Sequence, residues 1–389
     1  MTETAIAYSN VDTTEAAAQE LCDGVSRQMP GKPADAMILF ASPRYDATLL
    51  LQALKRSCNP RLLVGASSSG EFTHAAQGEG MACVLALRSD SLLFAAGVGR
   101  GLSKSREQAA REMAASFRGP GTHTHPYRSA LVMTDALAGH ADDLVDQLTL
   151  ATSGQYQFFG GGAGDDAQFQ RTSVFFGEEA LTDAAVALEI LSKKPIGVGV
   201  GHGWKPASAP MRVTEADGMR LISLNGLPAA DAFDEHAQET AQTLDRAAPL
   251  PYFLHNIIGI DTGNGYRLRV PLSISSDGSV ACASEIPVGA TVHIMRTDQT
   301  SAIDAASRAT TSAIDGLQGG KPKVALFFDC VATRLRIGDG FGLELEGLAQ
   351  ALGPAARYLG CNTHGQIARA EGQFGGFHNC TAVVCVLPE

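Results

Sequence analysis

Pro195-Ile196-Gly197-Val198-Gly199-Val200-Gly201-His202-Gly203-Trp204 is the stretch on which the fold turns. β-Branched residues alternate with glycine up to a histidine and the only tryptophan of the chain. Such alternation reads as a buried strand. A glycine at every second place strips one face of side chains, so something comes close to the backbone there. A partner strand, a ligand or a second domain each satisfies that requirement.

Outward from this strand, one pattern recurs: helix, strand, helix, strand, glycine turn, strands. Its first copy has helices at 14–29 and 46–58, the second with Leu49, Leu50 and Leu54 on one face. Strands fall at 36–40 and 61–64, and the turn is Gly65-Ala66-Ser67-Ser68-Ser69-Gly70-Glu71-Phe72. Strands at 81–87 and 92–97 then read as a hairpin around Ser89-Asp90-Ser91. The second copy has helices at 103–117 and 141–152, strands at 129–134 and 157–159, and the turn Gly160-Gly161-Gly162-Ala163-Gly164-Asp165-Asp166. Strands at 173–176 and 184–191 close it. The third has helices at 301–317 and 340–352, strands at 324–328 and 357–359, the turn Gly360-Cys361-Asn362-Thr363-His364-Gly365-Gln366, and a last strand at 380–387. Each turn ends in glycine plus an acidic or amide residue: Gly70-Glu71, Gly164-Asp165, Gly365-Gln366. Shared turns at a shared place in the pattern argue for duplication of one supersecondary unit.

The segment between the second and third copies is different. It holds short strands at 212–214 and 221–222, a helix from Pro228 to about 246, a hairpin of 266–274 with 279–285, and a strand at 291–296. The fold expected is α/β of the mixed α+β kind, with repeated units, mixed sheets and two domains. The boundaries fall at 1–33 for an N-terminal helix and linker, 34–226 and 227–389.

Composition excludes several classes. The chain has 389 residues, 45% hydrophobic and 18% charged, as in ordinary globular proteins. A net charge of −11 with no basic stripe excludes a nucleic-acid footprint. There is no signal-peptide pattern and no apolar run long enough to span a membrane, which predicts a cytoplasmic protein. The eight cysteines lack any C-x-x-C spacing and are expected to be reduced, buried thiols. The missing C-x-x-C-H also excludes covalent c-type haem.

The stretch 195–204, then Val213-Thr214, then Asn225-Gly226-Leu227-Pro228-Ala229 resemble the FIST sensory proteins. So do the first two glycine turns, Asp277-Gly278-Ser279, Ile286-Pro287-Val288-Gly289, Cys330 with Arg334, and His378-Asn379-Cys380-Thr381. The ordered set covers the chain from about Ala34 to its end. It departs from the family at Gln366, where glutamate is common, and at Ala66, where cysteine is common. The resemblance implies ligand sensing with a separate output protein, and no catalysis. One stand-alone subgroup it resembles binds haem b, senses nitric oxide and regulates a partner histidine kinase; a homo-oligomer is compatible with this.

Two sets of site residues follow. For haem, an axial histidine in an apolar setting is needed. His236 lies with Phe233 on the apolar face of the helix after Pro228 and is the first candidate. His202 beside Trp204 is the second, and His140 the third. For an amino acid or other small metabolite, the turns offer backbone N–H groups with Ser67, Ser69, Gly70, Glu71, Gly164 and Asp165, joined by His378 and Asn379. An enzyme would use Cys330 or Cys361 with His364 or His378, but no orienting acid accompanies either pair. No P-loop or hydrolase elbow is present.

Overall fold

The computed structural model describes residues 2–370 and 376–389. Three units of one design follow each other. The first holds β1 (Thr2–Ser9), α1 (Thr14–Gln28), β2 (Ala36–Ala41), α2 (Ala47–Cys58), β3 (Leu62–Ser67), the hairpin β4 (Glu71–Thr73) and β5 (Gln77–Gly78), and β6 (Ala82–Ser89). The second holds β7 (Leu92–Arg100), α3 (Arg106–Ala115), β8 (Tyr127–Thr134), α4 (Ala141–Ala151), β9 (Gln157–Gly162), the hairpin β10 (Val174–Phe176) and β11 (Glu179–Leu181), and β12 (Ala184–Ser192). The third begins with β13 (Gly197–Gly201), which is the glycine-alternating stretch.

An insert then interrupts the third unit. It contains β14 (Lys205–Pro206), β15 (Met211–Asp217), β16 (Arg220–Leu224), β17 (Leu227–Pro228), α5 (Ala229–Glu239), α6 (Leu250–Phe253), β18 (Ile257–Asp261), β19 (Tyr266–Arg269), β20 (Pro271–Ile274), β21 (Val280–Cys282) and β22 (Thr291–Arg296). The unit resumes with α7 (Gln299–Asp315), β23 (Pro322–Cys330), α8 (Val331–Ile337), α9 (Phe341–Leu352), β24 (Arg357–Thr363), the hairpin β25 (Gln366–Arg369) and β26 (Gly376–His378), and β27 (Ala382–Pro388).

The sheets show how the units interlock. Their orders are β1-β6-β2-β3-β10-β11, β7-β12-β8-β9-β25-β26 and β13-β27-β23-β24-β4-β5. Each sheet has four strands of its own and ends in a hairpin from another unit. Unit one extends the third sheet, unit two the first, and unit three the second. The insert forms a separate nine-stranded sheet.

Glycine makes the interlock possible. β3, β9 and β24 run parallel to β2, β8 and β23, with Gly65 opposite Leu39, Gly160 opposite Val132 and Gly360 opposite Phe327. A Cβ would come within 1.8 Å of the Leu39 oxygen at Gly65, 2.1 Å of the Val132 oxygen at Gly160 and 1.8 Å of the Phe327 oxygen at Gly360. The glycines of β13 answer a second close approach. A Cβ at Gly197 or Gly199 would lie 1.6 or 1.8 Å from the oxygens of Ala313 and Ala309. The face cleared of side chains is therefore filled by helix α7. Gly97 and Gly99 of β7 meet the Met113 and Ala109 oxygens of α3 in the same way, at 2.3 and 2.2 Å.

The inner faces of all three sheets share one core. Phe40 of β2 and Phe159 of β9 both contact Phe328 of β23, with centroids 5.6 and 6.4 Å apart. Each outer face carries its own pair of helices and its own apolar layer.

Several expectations change. Residues 1–33 contain a strand as well as a helix, because Thr2–Ser9 pairs along its length with β6. The strands expected as a hairpin at 81–97 separate: β6 pairs with β1 and β2, whereas β7 joins the next sheet beside β12. Leu49 faces outward at 43% exposure while Leu51 takes its place in the core. The helix after Pro228 stops at Glu239. Cys22 and Cys58 are disulfide-bonded, Cα atoms 5.5 Å apart, since α1 and α2 lie side by side and bring these residues face to face. Cysteine usage thus no longer argues for a reducing compartment. No described helix is long and apolar enough to cross a membrane.

Gly160→Ala tests the interlock. Its φ of 138° and the Val132 oxygen both oppose a side chain, so urea unfolding should show a loss of about 4 kcal/mol or more. Gly177→Ala, with φ of 62° and open space around it, should cost about 1 kcal/mol.

Candidate functional site

The three glycine turns meet where their chains leave one sheet for the next, and they bond to each other through the backbone. Ser69 N donates to Asn362 O at 3.0 Å and Asn362 N to Gly70 O at 2.8 Å. Gly164 N donates to Ser67 O at 2.8 Å and Asp166 N to Ser68 O at 3.2 Å. Gly162 N donates to Gly365 O at 2.8 Å and His364 N to Gly162 O at 3.0 Å. Every pair of turns is linked, so buried peptide groups at the crossing find partners.

One side chain from each turn closes the junction. Ser69 Oγ accepts from Asp165 N at 3.0 Å and Ala167 N at 3.2 Å, and lies 3.1 Å from His364 Nε2. The Asp165 carboxylate accepts from the backbone N–H groups of Phe169, Gln170 and Arg171, and its Oδ1 stands 3.5 Å from the same imidazole nitrogen. Phe169 stacks on the His364 ring at 4.4 Å. Burial pushes the imidazole down to about 4 against the pull of Asp165, so the ring is neutral near pH 7. Serine, histidine and aspartate together look like hydrolytic machinery. The bonding says otherwise, because both lone pairs of Ser69 are already engaged and Asp165 contacts the nitrogen facing Ser69 rather than the opposite one.

His364 also lines a cavity of about 170 Å³ between the junction and the insert. Leu137, Phe169, Val270, Leu272 and Leu335 form its apolar wall, Ala283 and Cys330 narrow it, and Asn379 supplies a second polar group. Among the described residues, no lysine, arginine, aspartate or glutamate lines it. The Asn379 amide is engaged with Val270 N and His378 O, each at 3.4 Å. His364 Nδ1 is buried without a partner.

Two further clefts flank the junction. One of about 550 Å³ lies in the first unit between the start of α2 and the β10–β11 hairpin, with Ser67, Asp165 and Asp166 on its wall. One of about 410 Å³ lies in the third, between α8 and the β4–β5 hairpin, touching Glu71. The corresponding place in the second unit, between the start of α4 and the β25–β26 hairpin, is taken by the insert. Arg269, 1% exposed, pairs there with Asp142 and donates to Phe377 O at 3.1 Å.

The metabolite set is thus brought together in part. Ser67, Ser69, Gly70, Gly164 and Asp165 belong to the junction, and Asn379 to the cavity. Glu71 is 1% exposed and spent on structure: it accepts from Ser68 Oγ at 2.5 Å and from Met81 N at 2.8 Å. His378 is buried in the exchanged hairpin, and burial pushes it to about 3. Phe169 completes the site without having been singled out, and His364, named from sequence only as a base for an enzyme, joins it. The third glycine turn carried the signal for His364; nothing local marks Phe169.

The haem set is scattered. Phe233 packs with Tyr252 and Phe253 in the core of the insert, rings 6.5 and 5.0 Å apart. His202 Nδ1 accepts from Trp204 N at 3.3 Å, and Trp204 lies under the Arg336 guanidinium. His140 sits 2.7 Å from Glu285, across the contact between α4 and the insert. His236 is buried beside Asn256, yet neither ring nitrogen meets a partner in hydrogen-bond geometry. The cavity it lines holds about 230 Å³ and is rimmed by Asp231, Glu235 and Glu239. That is below the roughly 300–1,000 Å³ of sites for larger ligands, and three carboxylates oppose the two propionates of haem. The residues around His236 do not fit haem as they stand. Among the described residues no group of three histidine, cysteine or acidic side chains is placed to hold a metal ion.

Comparison with known proteins places these observations. Residues 35–227 match the model of the FIST N domain and residues 229–369 that of the FIST C domain. No curated protein sequence matches the chain. Among solved structures, a cyanuric acid hydrolase from A. caulinodans is similar at TM-score 0.34 and 8% identity over 99% of both chains. PurLQS from Thermotoga maritima is similar at TM-score 0.24 and 10% identity, over all of this chain and 72% of that one. At that distance neither likeness carries a statement about activity.

Glu71 gives the junction a measurable pH dependence. Burial raises its carboxyl to about 8 from 4.5, so the folded state keeps a proton that the unfolded chain releases. Stability from this group is complete below pH 4.5, falls as pH rises, and is level above about 8. Melting temperatures of wild type and Glu71→Gln should diverge across that window, the variant losing less stability as pH rises. Parallel profiles would show that the carboxyl ionises freely in the fold.

Proposed function

The chain belongs to the FIST family of sensory signal-transduction domains, and on that premise we propose that it is a non-catalytic sensor of a small metabolite bound in the cavity at His364. The observation that carries this is a largely apolar cavity of about 170 Å³ walled by both the three-unit body and the insert, with His364 and Asn379 as polar residues on its lining. Apolar walls with few polar groups are the ordinary make-up of a ligand site. A ligand there touches both parts at once. It therefore stabilises the arrangement in which they are closed on each other and shifts the population toward it. The output is a separate protein, for which a histidine kinase is the partner expected from the resemblance.

A second reading, haem b at His236 with nitric oxide as its signal, draws on the buried imidazole of that residue, which has only Asn256 beside it as a side-chain partner. Haem in that place would supply an iron for diatomic binding. The volume and charge of the cavity weigh against it.

Two measurements separate the readings. A thermal-shift screen of neutral small metabolites should yield compounds that raise the melting temperature by several degrees, and Ala283→Phe, which fills the cavity, should abolish the shift. A full shift in that variant would move the ligand elsewhere. Hemin added to the protein should keep the spectrum of free hemin. A sharp Soret band that moves with nitric oxide and vanishes in His236→Ala would instead establish the haem reading.

A further inference from the structure

Resting on that reading of the cavity, we infer that its ligand is an amphiphile: an apolar part of about six carbon atoms enters the cavity, and the polar head stays in water at the mouth.

The lining is graded from inside to outside. Val270, Cys282 and Cys330 are buried, whereas Leu137, Phe169, Met219 and Leu335 are 40% to 43% exposed. Among the described residues eleven large apolar side chains are exposed, and these four of them line one cavity. They come from separate places in the chain: Leu137 after β8, Phe169 just past the second glycine turn, Met219 between β15 and β16, and Leu335 on α8. Single exposed apolar residues are ordinary, but a gathering of them around a hole marks a binding surface. An apolar mouth open to water is covered when apolar surface of a ligand lies in it.

The two polar side chains of the lining give a head group nothing to hold. Asn379 Oδ1 accepts from Val270 N, and Nδ2 of the same amide donates to His378 O. His364 Nε2 faces Ser69 Oγ at 3.1 Å, and Nδ1 is fully buried. Among the described residues no charged side chain stands on the lining. A polar or charged head drawn inside would shed its hydration with no partner in exchange. The same head left at the mouth keeps its water, as the charged ends of long side chains do over apolar surfaces. Volume sets the size of the part that enters. An apolar cavity of about 150 Å³ accommodates benzene, and this one has about 170 Å³.

Straight-chain alcohols probe the apolar part, and hexanol, hexanoate and hexylamine probe the head. Saturation-transfer NMR with the full chain should show affinity rising about fourfold per methylene from butanol to hexanol and levelling by octanol. Near neutral pH the three hexyl compounds should bind within about threefold of one another. Met219→Glu, a change at an exposed turn, places a negative charge at the mouth. In low salt it should favour hexylamine over hexanoate by at least about threefold. Affinity independent of chain length, a wider spread among the heads in the wild type, or no discrimination in Met219→Glu would overturn the inference and leave the cavity as a ligand site. Ala283→Phe should abolish hexanol binding. Binding unchanged in that variant, or no binding of any of these probes to the wild type, would remove the ligand from this cavity, and the reading beneath this one fails with it.

Discussion

A Cβ on Gly65, Gly160 or Gly360 would fall within about 2 Å of a carbonyl oxygen on the neighbouring parallel strand. Each of these contacts stands just before a strand leaves its own sheet and its hairpin joins another. The close approach brings the three crossing chains together, and the crossing chains form the junction. A side chain at these places would strike the neighbouring carbonyl and force the strand off its partner just where the chain turns toward the junction. Turn N–H and C=O groups parted by that shift would require water in the middle of the protein.

Because the turns satisfy each other, almost no polar group at the junction is left to spare. Ser69, Asp165 and Glu71 read from sequence as ligand-binding groups, and the fold uses all three as fasteners. What remains are the far nitrogen of the His364 imidazole, the Asn362 amide nitrogen and one oxygen of Asp166. The site is thus not an addition to the scaffold but the residue of a bonding problem that the scaffold solves elsewhere. The insert supplies the other wall, and its Arg269 closes the one cleft of the second unit with a buried ion pair to Asp142.

Much of this architecture was legible. The threefold recurrence of the pattern and the shared turns came from the residues themselves, as did the close approach implied by Gly197 and Gly199. That α7 makes this approach was not legible, since a bare strand face looks the same whether a helix or a ligand covers it. Strand pairing was read wrongly at 81–97 for a related reason. Ser89-Asp90-Ser91 has the chemistry of a hairpin turn, but sheet membership is decided by contacts far away in sequence. Thr2–Ser9 alternates buried and exposed positions less cleanly than a half-exposed strand does, as Ala5, Ile6 and Ala7 are all covered, and it passed for a tail. The pairing of Cys22 with Cys58 depends on two helices lying abreast, which no spacing announces. His364 gains its importance from Ser69, 295 residues away.

The order of hairpin exchange bears on how such a chain could have arisen. Each unit is incomplete without the arm of another, and the arms pass around in one direction. Three identical short polypeptides with this sequence plan would close into a ring by swapping those arms. A ring of identical subunits is bound by its symmetry: an insertion in one is an insertion in all, and three bulky additions would crowd a single junction. Joining the copies end to end removes that bond. In a single chain one vertex can carry an extra lobe while the other two keep open clefts, and a site with a single orientation can form at a centre where exact symmetry allows only three equal ones.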